Sequence, residues 1–173
     1  MRAGKFACAV AALLLVSNAQ ALGFDFARYQ AADLDAILAQ RRPQSGVDLH
    51  RGEPLKLAVT LVAHGAACET GMLKRAMIAS GIPKAAIDPV PMTRCINVRS
   101  AKGAVVSLFV QDPLVPSLQS EVAVGQPVTL FVIHVFTGRD GPGLLVNEFR
   151  AENGGTPGKA RQAEKKQTEN QPQ

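Results

Sequence analysis

The chain contains no tryptophan, one tyrosine and seven phenylalanines among its 173 residues. Proteins that hold single-stranded nucleic acid stack bases on aromatic rings set along a basic stripe. So thin an aromatic supply argues against nucleic acid as a partner, although the sequence pI is about 9.4. Of the three cysteines no two stand as Cys-x-x-Cys, which removes a thioredoxin-type redox centre. The histidines, His50, His64 and His134, include no His-x-x-x-His pair and have no carboxylate pair placed to support them, so no metal is expected. No cofactor motif and no repeat of solenoid length occurs.

Long apolar runs are missing as well. The run from Phe6 to Val16 is well short of the roughly 20 residues needed to span a bilayer. It fits a leader instead: Arg2 and Lys5 precede it and a small-residue site, Ala19-Gln20-Ala21, follows. Residues 1–21 are therefore expected to be a cleaved signal peptide that sends the chain to the periplasm or out of the cell, with no membrane span after cleavage. Cys8 lies inside the apolar run rather than at its end, so it does not fit a lipid-attachment cysteine.

Cleavage would leave 17 basic against 14 acidic residues, a formal charge near +3, and two thiols, Cys68 and Cys95. An even pair in an oxidising compartment points to a disulfide. A closed loop of this length is worth on the order of 3–4 kcal/mol on the chain-entropy account. The remaining chain of roughly 150 residues suffices for one core.

Thr129–Phe136 (TLFVIHVF) is apolar on both strand faces apart from Thr129 and His134, and so reads as the central strand, covered on both sides. Upstream, residues 22–54 read as an N-terminal helix followed by a linker. Leu34, Ile37, Leu38 and Arg41 share a helical face, Asp33 and Asp35 stand near the start, and Pro43 stops it. Gln44–Pro54, with Ser45, Gly46, Gly52 and Pro54, is the linker.

The globular domain spans residues 55–150. Lys56–His64 alternates as a strand with one buried face, and Cys68–Ser80 is a helix carrying Met72, Leu73, Ala76 and Met77 as its apolar stripe. Ile82–Pro91, with three prolines, is expected to be extended or turn-like. Met92–Arg99 and Gly103–Gln111 form a hairpin in which Gly103 supplies a left-handed residue, and a helical turn follows over Ser117–Val122. A second hairpin joins the central strand to Leu144–Phe149 through Thr137–Gly143, expected to be an exposed loop. Residues 151–173 hold no aliphatic side chain larger than alanine and read as a disordered polar tail.

The expected fold class is α+β: a small, mostly antiparallel five-stranded sheet or an OB-like, partly closed barrel, with an N-terminal helix and a helix between strands 1 and 2. In element order the last four strands and the helical turn among them resemble the oligonucleotide/oligosaccharide-binding barrel. The helix between the first two strands departs from that pattern.

No residue constellation fixes a chemistry, and no catalytic residue is assigned. Cys68, at an expected helix N-terminus with His64 four residues before it, has the layout of an activated nucleophile, but a disulfide to Cys95 would leave it inert. His134 is either a ligand or base in a pocket or a core histidine held by one hydrogen bond, and the second is the commoner use. Asn147 and Glu148 either face a binding site or guard a sheet edge. Asp112, before Pro113, reads first as a turn or cap residue. Arg94, Arg99 and Lys102 cluster on the first hairpin, yet Arg94 and Arg99 have opposite parity and cannot line one flat patch.

The function expected on these grounds is a small exported, non-enzymatic binding or accessory module for an envelope or secreted protein or a glycan. The contact would run through the Thr137–Gly143 loop, with Arg139 and Asp140, or through an exposed sheet face. The alternative is a small-ligand-binding protein or enzyme with a pocket around His134, joined by Asn147 or Glu148.

Overall fold

A computed structural model describes residues 24–152. The expected leader, residues 1–21, and the expected tail from residue 153 on lie outside the described residues; Ala151, expected as the first residue of the tail, instead ends the last strand, paired with Val128. The described residues form six strands: β1 Gln30–Ala32, β2 Val47–Ala67, β3 Arg94–Arg99, β4 Val105–Val110, β5 Pro127–Gly138 and β6 Gly141–Ala151. Its helices are short: α1 Leu34–Leu38, α2 Gly71–Ala79, α3 Lys84–Ile87 and α4 Val115–Glu121. The class is mixed α+β, with one six-stranded sheet in place of the expected five strands.

β2 organises the sheet. It pairs antiparallel with β5 from Val47↔Gly138 to Thr60↔Pro127, then antiparallel with β3 from Thr60↔Arg99 to Ala67↔Arg94. β3 continues to β4, and β4 to β6, where the pairing is parallel and limited to Phe109↔Leu145 and Val110↔Val146. β6 returns antiparallel to β5, so the sheet is partly ring-like, with β1 added in parallel along Leu55–Leu57.

Two clusters make the core. Leu57, Leu61, Ile96, Val98, Leu130 and Val132 belong to the larger, capped by Leu34 and Ile37 of α1 and by Val115 and Leu118 of α4. The smaller sets Leu73 and Ala76 of α2 and Ile87 of α3 against Val135, Phe136 and Leu145. β5 is thus covered on both faces, as its sequence demands. Phe131 is 1% exposed, beneath Phe24, Phe26 and Tyr29 at centroid distances of 5.9, 4.7 and 5.5 Å. Burial on both sides is the property of a central strand.

The first hairpin and the disulfide follow the sequence reading. Gly103 has φ 93°, which its lack of Cβ makes cheap, and its N–H donates to Ser100 O at 3.0 Å. Cys68 and Cys95 are bonded, with Cα atoms 5.7 Å apart.

Several elements differ from expectation. The N-terminal helix shrinks to Leu34–Leu38, because Asp33 caps it by accepting from Asp35 N at 2.9 Å and Gln30–Ala32 is drawn onto the β2 edge. Asp35 serves a different end from the helix dipole: its carboxylate accepts from Ser100 Oγ at 2.6 Å and from Lys102 N at 2.9 Å, tying α1 to the β3–β4 turn. The Ser100 hydroxyl is the main reason that its pKa falls below the ordinary carboxylate value, against the opposing effect of burial.

Val47–Pro54, expected as linker, is the first part of β2; Gly52, at φ 71°, lies where the register with β5 shifts between Leu49 and Glu53, so the glycine marks a bulge rather than a break. The expected Cys68–Ser80 helix begins at Gly71, and Met72 of its stripe is 43% exposed. Within the proline-rich run, Pro83 opens a helical turn that buries Ile87. The Thr137–Gly143 loop is mostly strand: β5 runs to Gly138, β6 starts at Gly141, and Arg139-Asp140 alone makes the turn.

Candidate functional site

Three places in the fold gather polar groups beside space or burial. The first is a pair of stacked imidazoles. β5 sets His134 opposite Glu53 of β2, and the adjoining bulge folds His50 onto His134 with ring centroids 3.6 Å apart and planes at 22°. Both Nε2 atoms meet one hydroxyl, Thr137 Oγ1, at 3.0 Å from His50 and 3.1 Å from His134. The hydroxyl has one proton and two lone pairs, so it can donate to only one of the two nitrogens and at least one Nε2–H donates to the oxygen.

His134 is 2% exposed. Burial, then the neighbouring His50, lowers its pKa from 6.5 to about 4, against the opposing pull of Glu53 and a backbone hydrogen bond at Phe136. The folded pKa lies below the unfolded one, so the unfolded chain takes up the proton first as the pH falls. Stability from this group is therefore complete above pH 6.5 and declines toward pH 4. A loss on the order of 2–3 kcal/mol over that window is expected in urea unfolding. His134→Gln should remove most of this dependence, and an unchanged pH profile in that variant would count against the buried neutral histidine.

His50, Glu53 and His134 also offer one ligand atom each within 4.8 Å of one another. Spacing along the chain concealed this group, since its members come from two strands. A lone pair of imidazole lies in the ring plane, and the two planes here are nearly parallel. A cation would need one ring to turn before both nitrogens could face it.

The second place is a cavity of about 210 Å³ between the outer face of β5 and β6 and the arm formed by α2 and α3. Ile133, Val135 and Leu145 form its floor, and Met77, Ile87 and Val90 its roof. Asn147 lies in its wall, where Oδ1 accepts from Gln111 Nε2 at 2.8 Å and Nδ2 donates to Tyr29 Oη at 3.3 Å. His50, Arg51 and Ser80 complete the polar side. His134 is packed behind His50 and is not part of the lining.

The third is an open groove of about 720 Å³ running over Val105–Phe109 of β4, bordered by the Arg139–Asp140 turn and the chain from Gln44 to Val47. Arg42 Nη1 donates to Arg139 O at 3.5 Å, while Arg139 and Asp140 form an exposed pair at 3.7 Å whose worth is small. The candidate residues are therefore divided: Arg139 and Asp140 border the groove, Asn147 the cavity, His134 the buried stack. Glu148 joins none of them and accepts from its neighbour Phe149 N at 2.9 Å.

Cys68, bonded to Cys95, is no nucleophile. Asp112 begins the short 3-10 turn Asp112–Leu114, but its carboxylate does not cap that turn: it accepts from Thr93 N at 2.8 Å and Thr93 Oγ1 at 2.6 Å, tying the turn to the start of β3. Arg51 and Glu53, which the sequence does not single out, and His50, weighed there only as a metal ligand, all fall in the stretch expected as linker. Among the described residues no helix is long and apolar enough to cross a membrane. Compared with known proteins, the chain matches no family model, no curated protein and no solved structure at a significant level.

Proposed function

We propose that this protein is an exported, non-enzymatic binding module with an OB-like ring of strands, and that it takes an extended segment of a partner polypeptide against the free edge of β4. The observation that carries this reading is the short β4–β6 seam. The two strands pair only at Phe109↔Leu145 and Val110↔Val146, so Val105–Leu108 faces the groove with no strand partner on that side among the described residues. Unpaired main-chain groups along an accessible edge favour another strand, and the partner's alternate side chains would reach Phe136 and the Arg139–Asp140 turn.

Export is supported by the leader-like N-terminus and by the disulfide. The OB-like reading is supported by the strand order and by α4 standing between β4 and β5. The arm between β2 and β3 departs from it. A pocket centred on His134 itself has less support, because that ring lines neither cavity nor groove.

The test uses random dodecapeptides displayed on phage and selected against the purified protein. An enriched peptide, made synthetically, should shift amide resonances of residues 105–109 and 139–142. N-methylation at alternate peptide positions should weaken it at least about tenfold, since main-chain hydrogen bonds carry the affinity. Equal binding by the methylated peptide, shifts confined to other surfaces, or no enrichment would each overturn the reading.

A further inference from the structure

The cavity beneath α2 and α3 uses none of the groove's lining, so what it holds is a separate matter from the β4 edge. Its volume, about 210 Å³, exceeds the roughly 150 Å³ of an apolar cavity that takes up benzene. Eight of its lining residues are large aliphatic or thioether side chains, and Ile133 stays partly exposed toward it on a strand otherwise buried around that position.

The polar side is mostly committed. Ser80 Oγ donates to the backbone carbonyl of His50 at 3.2 Å, His50 Nε2 is on Thr137, and Gln111 and Asn147 bond each other and Tyr29. Arg51 differs. It is the one permanently charged residue of the lining, it makes no ion pair among the described residues, and no Asp or Glu lines the cavity.

An apolar chamber with a single uncommitted guanidinium at its side suits an anion with an apolar body. One planar fork matches one carboxylate through two parallel N–H···O bonds, whereas the second charge of a phosphate dianion would find no further cation in this wall. We propose that the cavity is a binding site for a small monocarboxylate whose apolar body has about six to eight carbons, with its head at Arg51 and its body between Ile133 and Ile87.

Octanoate and 3-phenylpropanoate, titrated calorimetrically into the full-length protein, stand for the aliphatic and the aromatic source of this chemistry. At least one should bind tighter than about 1 mM and raise the melting temperature, and the stronger of the two identifies the source. Octylamine and octanol, equally apolar but lacking the anion, should bind at least about tenfold more weakly. Arg51→Gln, an exposed position, should weaken the acid by a similar factor while leaving the fold intact. Ala86→Trp, which places a ring at the roof from another exposed position, should abolish binding with little change in melting temperature. The proposal is overturned if neither acid binds within that range, if octylamine or octanol matches the acid, or if either substitution leaves acid binding unchanged. A peptide directed to β4 should bind both variants normally, so failure here and failure of the groove reading are told apart.

Discussion

Gly143→Ala is expected to destabilise the domain by about 3 kcal/mol, at the upper end of ordinary overpacking costs. Gly143 is the cross-strand partner of Phe136, whose ring lies flat across the bare Cα. A methyl group built there would collide with Cε1, Cδ1 and Cζ of the Phe136 ring, closer than real Cβ contacts come. The ring has little room to retreat, because Phe136 is 7% exposed and belongs to the cluster that joins β5 and β6 to α2. The melting temperature should fall by roughly 10 °C in a domain of this size. Adding Phe136→Leu to Gly143→Ala should recover part of the loss, since the smaller side chain leaves the alanine methyl space. A double-mutant cycle measured by urea unfolding checks the coupling; additive costs would mean that the two residues do not constrain each other.

Reducing the Cys68–Cys95 bond is expected to remove about 3–4 kcal/mol, by constraint lost from the unfolded chain. The sulfurs are 27 residues apart in sequence, and the intervening segment carries the whole α2–α3 arm. The bridge fastens the end of β2 to β3 where their ladder finishes, at Ala66↔Cys95 and Ala67↔Arg94. Reduction should therefore also loosen the arm locally, seen as lost hydrogen-exchange protection in residues 71–87 before the rest of the domain opens. Cys68→Ser/Cys95→Ser should match the reduced wild type in both respects. A difference below about 1 kcal/mol between oxidised and reduced protein would show that the folded arm, rather than the bridge, holds these strands together.

What the sequence made legible was local. Thr129–Phe136 announces a strand covered twice because no face of it could tolerate water, and Gly103 announces its turn because few other residues adopt that φ. What stayed hidden depended on partners far along the chain. Gly46, Gly52 and Pro54 look like breakers, yet β5 offers an edge long enough to carry the strand through them with one bulge. That misreading cost the candidate site most: His50, Arg51 and Glu53 were set aside as linker, though they face His134 and the cavity. The helical spacing around Leu34 was real over five residues, and β2 claimed the three before the cap. The Thr137–Gly143 segment looked like a loop by composition, but a glycine that receives a phenylalanine ring belongs in a strand. Asn147 could be singled out as a polar residue on a strand; that Arg51 would stand near it could not, because nothing local records which strands become neighbours.

The length of β2 has a consequence for the order of events when the chain is made. Val47 waits for Gly138, and most of the strand's pairing is with β5. A polypeptide emerging from its N-terminus displays β2 complete while its main partner is still unsynthesised, and the β2–β3 ladder and the first hairpin must stand without the doubly covered strand that closes the core. A lone hairpin in water is marginal at best. The domain therefore stays open until nearly all of its chain has emerged, and its core closes in one late step.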